Sequence, residues 1–243
     1  MSRVGGVALG GGLADRRRSW RRTRFAAVDL ETTGLDPARD AIVAYGVVPV
    51  EDALVRLDRA RSGLVATGRP VQRRAVEVHG IRPVDLVDAR SVAEAGAALR
   101  EALERTVPLA WTSWVEAAFL PGALGGRPSA WFRRIVDVRR LAMLLDHLQG
   151  RQPSPAASEG LAATALRFGV PPDLEHHALW DAFVTAQLFV VVATHLERLR
   201  RGSVGALVSA GVGRTRLDPR RPPVGSPPPV ASSPSGGPGV TPA

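Results

Sequence analysis

An apolar run that ends in two alternating acids, Phe25-Ala26-Ala27-Val28-Asp29-Leu30-Glu31, constrains this chain more than any other stretch. Side chains at i and i+2 of a strand share a face, so Asp29 and Glu31 converge while Leu30 points into packing on the other side. Two neighbouring carboxylates repel unless a cation neutralises them, and hard oxygen donors of this kind suit Mg²⁺ or Mn²⁺. The same pattern also fits a solvated strand end before a Thr32-Thr33-Gly34 turn. The rest of the chain has to decide between the two.

From Arg24 onward the pattern is regular. Phe25–Glu31, Ala41–Glu51 and Ala53–Asp58 read as three strands joined by turn chemistry that includes Gly34, Asp36 and Pro37. A helix is expected over Ser91–Arg105, with Ser91 as N-cap and Glu94 completing a capping box. Val107–Thr112 is a fourth strand, and Glu116–Leu120 a short helix stopped by Pro121-Gly122. Trp131–Val138 reads as a fifth strand leading into a helix over Arg139–His147. After the Pro/Ser-rich stretch Arg151–Ser158, helices are expected over Ser158–Phe168 and Ala178–Arg200. This order predicts an α/β fold, a mixed five-stranded sheet flanked by helices. Residues 1–23 read as a flexible Arg-rich arm, 24–202 as the folded domain and 203–243 as a disordered Pro/Gly/Ser-rich tail.

Composition narrows the chemistry. Cysteine is absent, which excludes disulfides, thiolate metal sites and a Cys nucleophile. Lysine is absent too, so the net charge of +9 is carried by Arg alone. Residues 1–24 carry seven Arg and one Asp, and 201–243 carry five Arg and one Asp. The central 25–200 hold 20 Arg against 21 acids, so the positive charge lies in the flanks. Basic flanks beside a neutral core attract polyanions without reading sequence, and they equally suit solvated tails. The longest apolar run, Ala182 to Leu196, is interrupted by Thr185, Gln187, Thr194 and His195 and is shorter than a bilayer requires. The expected setting is therefore cytoplasmic, with no membrane association.

A phosphodiesterase that uses two metals needs further carboxylates and a base for the attacking water. His176-His177-Ala178-Leu179-Trp180-Asp181 opens the last long helix, which puts Asp181 in a first turn and His176 on the loop before it. Taken singly, Asp181 also fits favourable placement at a helix N-terminus, and His176 an ordinary surface histidine.

Taken together, Asp29-x-Glu31-Thr32-Thr33-Gly34 and His176-x-Ala178-x-x-Asp181 resemble the DEDDh 3′-to-5′ exonucleases, the group that includes the proofreading epsilon subunit of bacterial DNA polymerase III. Val78-His79-Gly80-Ile81 is similar to the family's His-Gly-Ile element, and Val136-Asp137-Val138 to its Ile-Asp-Thr strand. Leu161 to Val170 is similar to the helix before the final motif. The resemblance spans about 25–200 and implies an RNase H-like fold that hydrolyses the terminal phosphodiester of DNA or RNA with two ions, Mg²⁺ or Mn²⁺. It further implies that Asp29, Glu31 and Asp181 hold metal, that His176 is the general base, and that Thr32 and Thr33 line the terminal nucleotide's pocket; His79 fits an approach to the nucleic acid and equally a structural role in its loop. The implied partners are single-stranded 3′ ends, with a DNA polymerase or repair protein as a further candidate. One motif departs from the family pattern. Matching on Ala118-Phe119-Leu120 places Glu116 where the family has a metal-binding Asp, with Trp111-Thr112 in place of a His-Asn pair. The added methylene makes a catalytically weakened nucleic-acid-binding or scaffolding module the competing expectation.

Overall fold

The computed structural model describes residues 16–151, 160–172 and 176–212. The strands are β1 (Phe25–Thr32), β2 (Ile42–Glu51), β3 (Leu54–Val55), β4 (Arg61–Ala66), β5 (Arg90–Ser91), β6 (Val107–Ala110) and β7 (Val136–Asp137). The helices are α1 (Arg73–His79), α2 (Val92–Leu103), α3 (Ser113–Leu124), α4 (Pro128–Phe132), α5 (Val138–Leu148), α6 (Leu161–Arg167), α7 (Ala178–Arg198) and α8 (Val204–Gly211). One mixed sheet runs β5-β4-β2-β1-β6-β7, with β3 pairing on β2. β1 lies at its centre, antiparallel to β2 and parallel to β6.

The two-residue period of β1 divides the core. Phe25 and Ala27 pack with α5, α7 and α8 on one face of the sheet. Ala26, Val28 and Leu30 pack with α2, α3 and α4 on the other. Asp29 and Glu31 continue the Phe25/Ala27 face, the one that α7 covers.

The sheet has seven strands where five were expected. The added strands are short or at an edge, and their pairing is set by tertiary contact more than by local pattern. Ala53–Asp58 is not a single strand. Asp52 and Ala53 adopt left-handed φ of 51° and 62° and turn the chain into the two-residue β3, the geometry of a tight hairpin. The structure then forms β4, which the sequence reading left unassigned, followed by α1.

α3 runs through Pro121-Gly122 to Leu124 instead of stopping at Leu120. Burial of Phe119, Leu120 and Leu124 outweighs the backbone bond that Pro121 cannot donate, and Gly125 ends the helix with φ 80°. Trp131–Val138 divides into α4 and the two-residue β7, because Trp131 Nε1 donates to Gly125 O and pins that segment as a turn of helix. The capping box at Ser91 and Glu94 forms as expected.

Both domain limits shift outward. Trp20 is fully buried, and Ser19 bridges to Ser203 in antiparallel fashion. Trp20 N–H donates to Gly202 O and Val204 N–H to Arg18 O. Residues 16–23 and 203–212 therefore belong to the domain, and Val204, Leu207 and Val208 join its core. Expectations for 1–15 and 213–243 lie outside the described residues. α7 has 21 residues and a mean hydropathy of 1.5 over its most apolar window, long and apolar enough to cross a membrane, yet half of that window is buried within the fold.

Candidate active site

Ligand oxygens of Asp29, Glu31 and Asp181 all lie within 4.8 Å of one another. β1 supplies the first two from one face, and the first turn of α7 supplies the third. The approach depends on Gly46. It pairs with Asp29 across the β1–β2 ladder, and a Cβ there would stand less than 3.0 Å from the carbonyl of Ala178 and from Cα of Leu179. Only a bare backbone lets the start of α7 lie directly over Asp29. Sequence reading missed this glycine, because nothing local distinguishes it from others in a strand.

Glu116 enters from α3 and is 4% exposed, with Oε2 unbonded among the described residues. Asp137 fixes its position. Its Oδ2 accepts from the N–H of Ser113, the first residue of α3, while its Oδ1 accepts from Arg140 N–H and caps α5. One carboxylate thus ties two helix N-termini together beneath Glu116. Asp137→Ala is expected to cost about 2–3 kcal/mol, for a lost cap and an uncompensated buried N–H, and thermal melting checks this.

The carboxylates strongly perturb one another. Burial, followed by the charges of Glu116, Glu31 and Asp181, holds Asp29 well above the usual carboxyl range. Glu31 is pushed up to about 8 by burial and Asp181, and Glu116 to about 8 by burial and then by Asp137 and Glu31. A carboxyl raised in the folded state destabilises the fold once pH exceeds its unfolded value. Without divalent cation, stability is expected to fall as pH rises from about 4.5 toward about 8, the range over which Glu31 and Glu116 contribute. Added Mg²⁺ or Mn²⁺ should flatten that slope, and melting curves across this range with and without metal provide the test. The clustered oxygens and the orphaned Glu116 Oε2 make this donor set fit a divalent cation.

His176 is exposed on a left-handed turn with φ 58°, and its backbone N–H donates to Asp181 Oδ2 at 3.0 Å. His176 borders two cavities, one of about 300 Å³ that also touches Asp181 and one of about 390 Å³ that also touches His79.

His79 ends α1 and is locked in place. Nδ1 accepts from Ile81 N–H, and Nε2 lies 3.2 Å from Thr32 O, so Nε2 carries the proton. Burial lowers its pKa, and His176 adds to that effect.

Thr33 differs from expectation. Thr33 is fully buried, its hydroxyl donating to Asp40 Oδ1 and its N–H to Ala41 O. It braces the loop after β1 and has no donor left for a nucleotide. Thr32 directs its hydroxyl to Gly34 O, and its own carbonyl faces His79. Trp111 is half-buried, and its carbonyl accepts from Arg139 N–H.

Comparison with known proteins follows the same lines. Residues 26–112 match the RNase_T family, described as "Exonuclease". A PolC-type DNA polymerase III of Thermotoga petrophila is 28% identical over 182 residues, 74% of this chain and 13% of that protein. A DNA polymerase III subunit epsilon-like protein of Rhodobacter capsulatus is 27% identical over 76% of this chain and 26% of its own length. Escherichia coli exonuclease I, solved with a dA16 oligonucleotide, superposes with a TM-score of 0.58 at 18% identity, over 73% of this chain and 42% of that one. The chain spans about a quarter or less of these two curated relatives, and less than half of exonuclease I.

Proposed function

We propose that this chain, whose residues 26–112 match the exonuclease family, removes nucleotides one at a time from the 3′ end of single-stranded DNA in a metal-dependent hydrolysis. The observation that carries the reading is the convergence of Asp29, Glu31 and Asp181 on one point, with the buried Glu116 coupled to the first two. The family match and the polymerase-associated relatives favour DNA over RNA.

Asp29, Glu31 and Asp181 would hold a first divalent ion, and Asp29 with Glu116 a second. Such ions polarise the scissile phosphoryl group and stabilise charge on the attacking and leaving oxygens. The chain's own residues supply positioning and proton transfer. Asp181 anchors the backbone of His176, leaving the imidazole free to turn toward the terminal phosphodiester. His176 then accepts the proton of a water that attacks phosphorus, and the 3′ oxygen of the penultimate nucleotide leaves. The product is a nucleoside 5′-monophosphate. His79 works at one remove, through its bond to Thr32 O, which sets the loop at the end of β1.

Glu116 favours a second reading. Its longer side chain and upward-shifted pKa weaken one ion site and would leave a nucleic-acid-binding module with low turnover. Incubating a 5′-labelled oligonucleotide, DNA and RNA in parallel, with Mg²⁺ or Mn²⁺ separates the two. A metal-dependent ladder shrinking from the 3′ end supports the nuclease. No cleavage by the natural chain, with cleavage gained in Glu116→Asp, supports the weakened module.

A further inference from the structure

The positive charge of this protein is concentrated at the pole of the domain opposite the carboxylate cluster. Residues 16–24 contain six Arg and no acid, and residues 197–201 contain three Arg and one Glu. These two short segments therefore carry +8 of the net +9, and the rest of the chain +1. They are far apart in sequence but adjacent in the fold. The Ser19–Ser203 bridge, Trp20 N–H to Gly202 O and Gly205 N–H to Arg16 O lay one against the other.

The backbone is fixed while the guanidiniums face outward. Arg16, Arg18, Arg22, Arg198, Arg200 and Arg201 are exposed, and no carboxylate among the described residues pairs with them. Arg21 is paired with Glu197 at 2.7 Å, and Arg24 with Glu51 at 3.7 Å. A concentration of unneutralised charge costs self-repulsion unless an anion meets it.

The two poles are joined by α7. Asp181 lies in its first turn and Arg198 at its end. At 1.5 Å rise per residue these are about 25 Å apart, a distance that several stacked nucleotides would bridge at about 3.4 Å each.

We propose that this arginine pole is a second nucleic-acid contact, holding the phosphodiester backbone of a strand whose 3′ end occupies the carboxylate site. Its ligand is the polyphosphate backbone, bound without base readout, because the patch offers guanidiniums and buries its one aromatic ring, Trp20. The inference relies on the nuclease reading only for the choice of ligand.

The test is binding of the full chain to oligothymidylate of about 25 and about 5 nucleotides by fluorescence anisotropy, in EDTA so that no cleavage occurs. Each neutralised phosphate on a single strand contributes about 0.7 to the slope of log K against log salt. Changing Arg16, Arg18, Arg22 and Arg200 to Gln should lower the slope for the long strand by about 2–3 and weaken its binding roughly tenfold or more near 0.1 M salt. The short strand can occupy the pole but cannot reach from it to the carboxylate site, so it should bind more weakly than the long one and should also weaken in this variant. A second variant, Arg198→Gln with Arg201→Gln, lies wholly on the 197–201 segment and should lower the slope by about 1.4 on its own.

An unchanged slope for the long strand overturns the proposal. Polyglutamate or phosphatidylserine vesicles that bind through the same arginines as tightly as the long strand would also overturn it, in favour of an acidic protein or a lipid surface. A slope change without any cleavage ladder leaves this contact standing and removes the nuclease reading. A ladder without a slope change does the reverse.

Discussion

Asp29→Asn is expected to abolish cleavage, by more than about 100-fold, and at the same time to raise the melting temperature in EDTA at neutral pH. The first effect follows because Asp29 is the residue common to the whole cluster, perturbed by Glu116, Glu31 and Asp181 alike. The second follows from the sign of that perturbation. A carboxyl held well above its usual range by burial and like charge opposes folding once pH exceeds its unfolded pKa. Removing its charge relieves the fold of that cost, and each kcal/mol regained should appear as about 2–4 °C in a domain of this size. Adding Mg²⁺ should stabilise the natural chain more than the variant. Lost activity with a lower melting temperature would mean that Asp29 supports the fold and not a cation.

The other large effect is expected at a residue without a side chain. Gly46→Val would thrust a branched side chain into the Ala178–Leu179 backbone, at less than 3.0 Å already for its Cβ. Neither the central strand β2 nor the 21-residue α7 can yield cheaply. A stability loss of about 2–4 kcal/mol is expected, from overpacking and backbone displacement. Activity should fall further than stability alone explains, since a shift of about 1 Å in Asp181 relative to Asp29 is worth roughly 100-fold. Melting and cleavage rates of Gly46→Ala and Gly46→Val provide the comparison. Wild-type values in both would show that α7 does not start over β2.

How far the sequence could be read depended on the range of the interaction concerned. Asp29 and Glu31 were legible because strand alternation is a two-residue rule, and Ser91 with Glu94 because a capping box closes within one turn. Asp181 and His176 stood out through their spacing at a helix start. Gly46 and Thr33 were not legible as they stand. The reason for Gly46 lies in a helix 132 residues away, and Thr33, which looked like a nucleotide contact, is consumed by Asp40 and Ala41. Asp137 was visible as part of a strand motif, but its hold on Ser113 joins elements 24 residues apart. α8 was missed for a similar reason. Its eight residues are too few to stand alone as a helix, and it persists because β7 and α5 give Val204, Leu207 and Val208 a place to bury.

The Ser19–Ser203 bridge has a bearing on how the chain is made. Trp20 leaves the ribosome early, but the segment that covers it, residues 202–208, emerges only after every strand of the sheet. Through most of synthesis that indole is without its native cover, and the last contact to form spans nearly the whole domain. Such a long-range closure comes late and slowly. The nascent sheet can be assembled, acids and all, before the bridge that completes its core exists.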